Sequence, residues 1–580
     1  MSGYQSLAEK TTTQRKYVSF SLVMILLLLS IAVILGITLI VSPHGSNDKE
    51  GKYIVKTNVG SFRGFKEILE NDKVSYKFKG IPFAEPPVGN RRWKPPVSKR
   101  KLDDVYIANK SNTLCIQFLP PPFPPIEREP SEDCLYLHIH TPTLDRNANL
   151  PVFVWIHGGY LMNGYADMVG YYPDGEFASE MNVVAVSLQY RLNAFGYLSL
   201  KELWSNGTSY GNYGLLDQIL GLEWVQDNIK EFGGNPDSVT VSGQSSGGTS
   251  VYALAASPLA QGLFKNGIPM SGSPYFPRNY SVTADDNRVF IQNSKCKDSV
   301  GEENIQDCLY ELTSKEVVDS IPVNIYPAWN QVDIMDFPSW GKILGSVLVV
   351  EPVSLPVAPK DAYSLKELNR NINLLIGTTA QEVGLMPIRM FNQTGQLKKF
   401  IDKRLKPFES ITFKNISDTY ENVETYVKTN ITSQFLFETI VTDARVGCPT
   451  SQLLKDFRKS LHLKNSYRYV SAWKAPGVVY AQIPFYDACH LTDAIALFGF
   501  KWWQKDMSKL TESQRRFMNS IRRVFKTFMV EGKIDGAMPG ETIVFNGDGE
   551  VEKIKGEYHK DQCDMWNKPS NGFLPYAWIN

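Results

Sequence analysis

A strand that runs directly into a glycine-rich turn and then a helix is compatible with few folds, and the chain from Ser238 onward reads that way. Ser238 to Ser242 (SVTVS) is a strand that meets Gly243-Gln244-Ser245-Ser246-Gly247-Gly248. G-x-S-x-G alone is weak, because short patterns with three fixed positions recur by chance. Between a strand and a helix it becomes a nucleophile elbow: the glycines allow the tight turn, and Ser245 presents its hydroxyl above a sheet at a helix N-terminus. Neighbouring segments agree. Leu150 to Ile156 (LPVFVWI) and Asn182 to Gln189 (NVVAVSLQ) are short, apolar and β-branched, as buried strands of a covered sheet are. Between Tyr213 and Lys230 the apolar residues Leu216, Leu220, Leu222, Trp224 and Val225 recur at helical spacing, and Gly233 and Gly234 stop the helix. The expected fold class is α/β, a large and mostly parallel central sheet flanked by helices.

A serine hydroxyl is a poor nucleophile until a base takes its proton, so the elbow calls for a histidine and an acid in the chain order Ser, Asp/Glu, His. His462, His490 and His559 follow at a plausible distance. His462 in KDFRKSLHLKN and His559 in EKIKGEYHKDQ read as solvated positions among charges. His490 follows a strand and loop (RYVSAW, then YAQIPFYDACHLTD) and is the expected base. The expected acid is Glu382, in the loop TTAQE after the strand Leu374 to Gly377. The strand PVFVWI ends in His157-Gly158-Gly159-Tyr160, a turn that aims backbone N–H groups at developing negative charge. Gly159, Tyr160 and Ser246 are the expected oxyanion donors, with His157 as a turn residue.

The run FGGNPDSVTVSGQSSG (Phe232 to Gly247) resembles the active-site signature of type-B carboxylesterases, the cholinesterase-like branch of α/β-hydrolases. EDCLYL around Cys134 is similar to a second signature of that family, with His138 at a position that usually holds Asn, Asp or Ser. KGIPFAEPPVGNRRWKPP, YRLNAFGYLS and GNYGLLDQILGLEWVQDNI extend the resemblance over nearly all of residues 53–570. It implies an α/β-hydrolase fold and hydrolysis of carboxylic esters by a Ser245-Glu382-His490 triad. It also implies Ser271 of MSGS as a hydrogen-bond donor behind the acid. The family's disulfides fall on Cys115–Cys134, Cys296–Cys308 and Cys448–Cys563, leaving Cys489 free. Three departures stand out. Val383 replaces the usual glycine after the acid. Tyr160 stands where relatives have a small residue, adding bulk beside the acyl pocket. The Cys115–Cys134 loop lacks the tryptophan with which cholinesterases hold a quaternary ammonium, so a choline ester is disfavoured.

Val18 to Val41 is 24 residues without a charge, long enough as a helix to cross a bilayer with some tilt. A cleavable signal peptide would have a shorter apolar core ending in small residues. Lys10, Arg15 and Lys16 precede the span, whereas Ser42 to Glu50 mixes charges, so the positive-inside rule keeps the N-terminus cytoplasmic. The expected organisation is a cytoplasmic tail (1–17), a type II signal anchor (18–41), a linker (42–52) and a type-B carboxylesterase domain (53–580), in the secretory lumen or at the cell surface. The C-terminal FLPYAWIN resembles neither a lipid-anchor signal nor an ER-retention tetrapeptide, so anchoring is expected to rest on the N-terminal span. All seven cysteines lie beyond that span, as do six N-x-S/T sequons at Asn109, Asn206, Asn279, Asn392, Asn415 and Asn430. Chance yields several sequons in a chain of 580 residues, so they agree with the topology without proving it.

The 61 basic and 60 acidic residues give no electrostatic case for nucleic acid as a partner. No cofactor or metal is expected: His138 and His140 form an H-x-H without a third ligand at zinc-like spacing, which reads as strand alternation. Phe517, Ile521, Val524, Phe525 and Phe528 lie on one face of a C-terminal helix, as core or homodimer packing requires. The competing function class is a non-catalytic adhesion or receptor ectodomain, since the family includes cell-surface members without the triad. Retention of Ser245, Glu382 and His490 favours the enzyme.

Overall fold

In the computed structural model the described residues are 53–569, apart from 71, 112, 118–127, 205–206, 276–277, 323–347, 363–371, 385–393, 407–410, 421–432, 460–464, 475–477, 481–482, 486–487 and 502–506. The apolar stretch 18–41, His462 and the sequons at Asn206, Asn392 and Asn430 lie outside them. Among the described residues no helix is long and apolar enough to cross a membrane.

Eleven strands among the described residues form one sheet: β1 (Phe65–Ile68), β2 (Val74–Pro82), β3 (Tyr136–Thr141), β4 (Leu150–Ile156), β5 (Val184–Leu188), β6 (Gly234–Gln244), β7 (Asn266–Met270), β8 (Asn373–Thr379), β9 (Asn465–Ser471), β10 (Thr542–Phe545) and β11 (Val551–Ile554). Their spatial order is β11-β10-β9-β8-β7-β6-β4-β5-β3-β2-β1. The seven strands from β5 to β10 in that order pair in parallel. Antiparallel strands finish both edges.

Parallel strands need crossovers, which place helices on both faces and bury the strands twice over. That is why LPVFVWI and VAVSL are almost continuously apolar, and every residue of β5, β7 and β8 is buried. Helix α1 (Tyr213–Asn228) is itself nearly all buried, so its apolar residues exceed a single stripe. It ends through a 3₁₀ turn, Ile229–Phe232, closed by Gly233 at φ 85°. Gly234 then opens β6, four residues earlier than SVTVS suggests. Helix α2 (Ser246–Ala256) leaves the elbow and packs on β6 and β7.

Two helices later in the chain complete the frame, the short α3 (Thr492–Leu497) and the 20-residue α4 (Glu512–Glu531). Thr511 and Gln514 form a capping box at the start of α4, and Gly532 ends it in the left-handed region. Its face of Phe517, Ile521, Val524, Phe525 and Phe528 is buried in this chain's own core with Tyr467, Ile543 and Phe545. Of the two uses expected for that face, the fold makes it core.

The three disulfides pair as the resemblance implied, Cys115–Cys134, Cys296–Cys308 and Cys448–Cys563, and the buried Cys489 lies outside them. One expectation is corrected: His559 is not solvated. Its side chain is 7% exposed and Nδ1 lies 2.8 Å from the Asp443 carboxylate. The charged neighbours Lys560 and Asp564 face outward and pair with each other, while His559, at φ 52°, turns inward ahead of its helix.

Candidate active site

Register along the sheet brings the predicted residues to one edge. Gly243 of β6 pairs with Ile156 of β4, Gln244 with Met270 of β7, and Met270 with Gly377 of β8. The residues that follow these strand ends, His157-Gly158-Gly159-Tyr160, Ser245, Ser271 and Thr379 to Glu382, therefore cluster beyond their carboxyl ends, where open α/β sheets hold their sites. The Gln381 N–H donates to the Ala488 carbonyl at 3.0 Å, which brings His490 to the same place.

Ser245 occupies φ 60°, ψ −129°, outside the regions open to most side chains. Such strain persists only where the surroundings enforce it. Here the Ser245 N–H donates to the Met270 carbonyl at 2.8 Å. The two motif glycines allow the turn to close. A Cβ on Gly243 would lie 2.4 Å from the Gly247 carbonyl oxygen, and one on Gly247 would lie 2.2 Å from that of Ile156. Ser245 is 5% exposed and begins α2.

Glu382 is buried and fully used. One carboxylate oxygen, Oε1, accepts from the Ser271 hydroxyl and the Thr379 N–H, each at 2.7 Å, and Oε2 lies 2.6 Å from Nδ1 of His490. Ser271 thus stands behind the Glu382 carboxylate. Val383 is buried in an apolar cluster with Leu397 and Phe437. Gly377, at the start of the G-x₄-E spacing, has its own reason: a Cβ there would lie 2.0 Å from the Tyr469 ring. The Tyr469 hydroxyl donates to Asp493 at 2.7 Å. Burial pushes the Asp493 carboxyl up to about 6, opposed by that hydrogen bond and reinforced by the nearby charge of Glu382.

The oxyanion turn is pinned to the elbow, because the Leu161 N–H donates to Ser246 Oγ at 3.0 Å. Among the described residues no acceptor takes the N–H of Gly159 or that of Ser246, as donors reserved for a ligand require. Tyr160 and Leu161 adopt φ 59° and 58°. The Tyr160 side chain is half-buried between the cluster of Trp93, Met162 and Phe195 and that of Val383, Leu397 and Phe437. His157 is a turn residue: it stacks on Tyr190 with ring centroids 4.5 Å apart, and burial lowers it to about 4. His138 and His140 sit buried in β3, where the Gly80 N–H donates to His138 Nδ1, and no cluster of metal ligands occurs among the described residues.

Sequence reasoning missed the partner of His490 on its other nitrogen. Nε2 lies 3.0 Å from the side-chain nitrogen of Gln244, whose oxygen accepts from the Tyr171 hydroxyl at 2.5 Å. Gln244 precedes the nucleophile in the motif, but its contact comes from 246 residues away and leaves no local signal.

The profile of the Carboxylesterase family matches residues 51–562. The chain belongs to the carboxylesterase family. Among curated carboxylesterase relatives, it is 39% identical to human (Homo sapiens) cocaine esterase over 42% of this chain and 44% of that protein. It is 33% identical to carboxylesterase 1D of Rattus norvegicus over 66% of this chain and 68% of that one. The chain thus spans from about half to two thirds of the length of these relatives. Of solved carboxylesterase-like structures, a PNB esterase superposes with TM-score 0.68 at 26% identity, covering 89% of this chain and 99% of its own. The sheet order and the elbow are those of the α/β-hydrolase fold shared with that esterase.

Proposed function

We propose that this chain is a serine hydrolase that cleaves carboxylic esters through an acyl-enzyme, with Ser245 as nucleophile, His490 as general base and Glu382 as the acid that orients the base. One observation carries the reading. His490 Nδ1 and Glu382 Oε2 lie 2.6 Å apart beside a strained serine, at the strand ends where the Gly159 and Ser246 N–H groups lack acceptors among the described residues. Ser245 Oγ attacks the ester carbonyl and passes its proton to Nε2. The imidazolium then protonates the departing alkoxide, and water repeats the cycle to release the acid. The N–H groups of Gly159, Tyr160 and Ser246 receive the oxyanion. Tyr160 lines the acyl side and favours short acyl groups. The catalytic domain lies in the secretory lumen or outside the cell, held by the 18–41 helix and possessing sequons. Asn109, Asn279 and Asn415 are exposed, as acceptors must be.

The test is intact mass of the detergent-solubilised full chain after exposure to a fluorophosphonate, which phosphonylates serines activated by a base. A single adduct, absent from Ser245→Ala, is expected, together with a loss of ester turnover of about 10⁴-fold or more in that variant. A folded chain that takes no adduct would overturn the reading and leave the adhesion class. Protease protection in sealed vesicles, with the N-terminal tail cleaved and the body protected, is the expected topology result.

A further inference from the structure

The resting partner of His490 is unusual in a site built around Ser245. Among the described residues no hydrogen bond joins Ser245 Oγ to the imidazole; the hydrogen bond at Nε2 is with Gln244. Which way that amide points is settled by its neighbours. The Tyr171 oxygen already accepts from the Gly158 N–H, so its own proton goes to the Gln244 oxygen. The amide nitrogen is left facing His490 and has only protons to offer. It must donate to an unprotonated Nε2, which places the ring proton on Nδ1, toward Glu382. A continuous chain results, from the Gly158 N–H through Tyr171 and Gln244 to His490 and Glu382, each group donating to the next. Such chains polarise cooperatively.

The same contact is hostile to a protonated ring. An imidazolium at this place would set Nε2–H against the amide N–H groups, donor against donor. We infer that Gln244, held by Tyr171, is a positioning residue that parks the neutral imidazole of His490 and rejects the imidazolium. When Ser245 Oγ bonds to the ester carbon and its proton moves to Nε2, the ring has no favourable way back to Gln244. The acceptor left to it is the alkoxide oxygen that departs as the C–O bond breaks. The turn that contributes the oxyanion donors and the base are thereby tied through one hydrogen-bond chain.

The other ionisable groups around the ring are Glu382 after β8, Asp493 of α3 with Tyr469 of β9 behind it, Glu438 of the helix Ser433–Thr442, Tyr171 and the Cys489 thiol. Apart from Tyr171 itself, which Tyr171→Phe changes, they are common to every variant below, so a difference between the parent and the Gln244 variants reports on Gln244.

This inference rests on the proposed triad, and the test separates the two. The rate of fluorophosphonate labelling of the full chain is followed from pH 5 to 9 for the parent, Gln244→Glu, Gln244→Ala and Tyr171→Phe, with melting temperature checking that each is folded. In Gln244→Glu a carboxylate accepts from Nε2–H and holds the imidazolium. The acid limb is expected to move up by about one pH unit, a tenfold slower reaction on that limb. Gln244→Ala removes the opposing donor, and Tyr171→Phe lets the amide turn over. Both are expected to move the limb in the same direction by less. A residue that only packs would lower the rate at every pH and leave the limb in place. Acid limbs of the folded Gln244→Glu and Tyr171→Phe variants that coincide with the parent's, or lie below it, overturn the inference. A parent chain that takes no label overturns the triad instead.

Discussion

Among the described residues two histidine–carboxylate pairs meet within hydrogen-bond distance, and only one of them lies in the candidate site. His490 meets Glu382 at 2.6 Å and His559 meets Asp443 at 2.8 Å, in each case through Nδ1. What stands around them differs. Behind the first pair is another carboxyl, Asp493, and in front of it are the strained Ser245 and unclaimed N–H groups. The second pair is closed. Asp443 also accepts from the Tyr420 hydroxyl at 3.0 Å, and the Trp566 N–H donates to that same hydroxyl at 2.9 Å. The His559 ring stacks on Tyr558, with centroids 4.0 Å apart. Its charged neighbour is the guanidinium of Arg468, which burial pushes down to about 10 against the pull of Asp443. A cation beside Asp443 balances the carboxylate, whereas two carboxyls beside His490 leave negative charge in excess, which suits the proposed role of that ring as a base. A histidine–carboxylate pair is therefore a structural clamp by default. Under the proposed function, the first pair becomes chemistry because Ser245 and N–H groups without acceptors among the described residues share its edge of the sheet.

The sharpest way to break that contrast is to remove each carboxylate's function in turn. Glu382→Gln keeps the shape but offers an amide to Nδ1 and cannot counter an imidazolium. Ester turnover is expected to fall by about 10⁴-fold with the melting temperature little changed, a magnitude set by the analogous loss in serine-protease triads. A fall of less than tenfold in kcat/KM would mean that the two pairs are alike and that the first is also only a clamp.

His559→Ala should do the opposite. It leaves Asp443 buried with one hydrogen bond fewer, a cost of about 1–3 kcal/mol. The expected result is a melting temperature lower by a few degrees and kcat/KM within about twofold of the parent. Turnover that collapses while the fold survives would place the second pair in the mechanism.

How legible these pairs were in the sequence follows from the range of their contacts. Glu382 and His490 lie 108 residues apart, yet each carries a local mark. Glu382 follows the buried strand β8, marked by the apolar run before Gly377, and His490 follows a strand and loop in a motif with a family likeness. The elbow was the plainest of all, because strand, glycines and helix are contiguous. His559 had the wrong local mark: EKIKGEYHKDQ is charged because its neighbours form an exposed helix face, and nothing in that run shows that the first residue before the helix turns inward. Gln244 and Tyr171 were hidden for another reason. Their meeting across 73 residues is fixed by the turn after β4, whose glycines signal a bend but not what it brings together. The strand ends told the same story on a smaller scale, with β6 beginning at Gly234 and not Ser238 because edge residues are set by pairing with β4, not by their own propensity.

The smallest effect tests the charge behind the first pair. Burial holds Asp493 near 6, above the value of about 3.9 expected in an unfolded chain. Between roughly pH 4 and 6 the native carboxyl therefore keeps a proton that the unfolded one has lost. The native state binds more protons, so stability falls as pH rises through that window, and above it the loss is complete. Asp493→Asn cannot titrate there. Its melting temperature relative to the parent's should rise between pH 4 and 6.5, by an amount equivalent to on the order of 2 kcal/mol across the window. Calorimetry at a series of pH values checks this. A constant offset between parent and Asp493→Asn would mean that no proton is held at Asp493. The excess negative charge that distinguishes the first pair from the second would then reside in Glu382 and Asp493 together, both ionised throughout, and the contrast between the two pairs would be stronger than the structure implies.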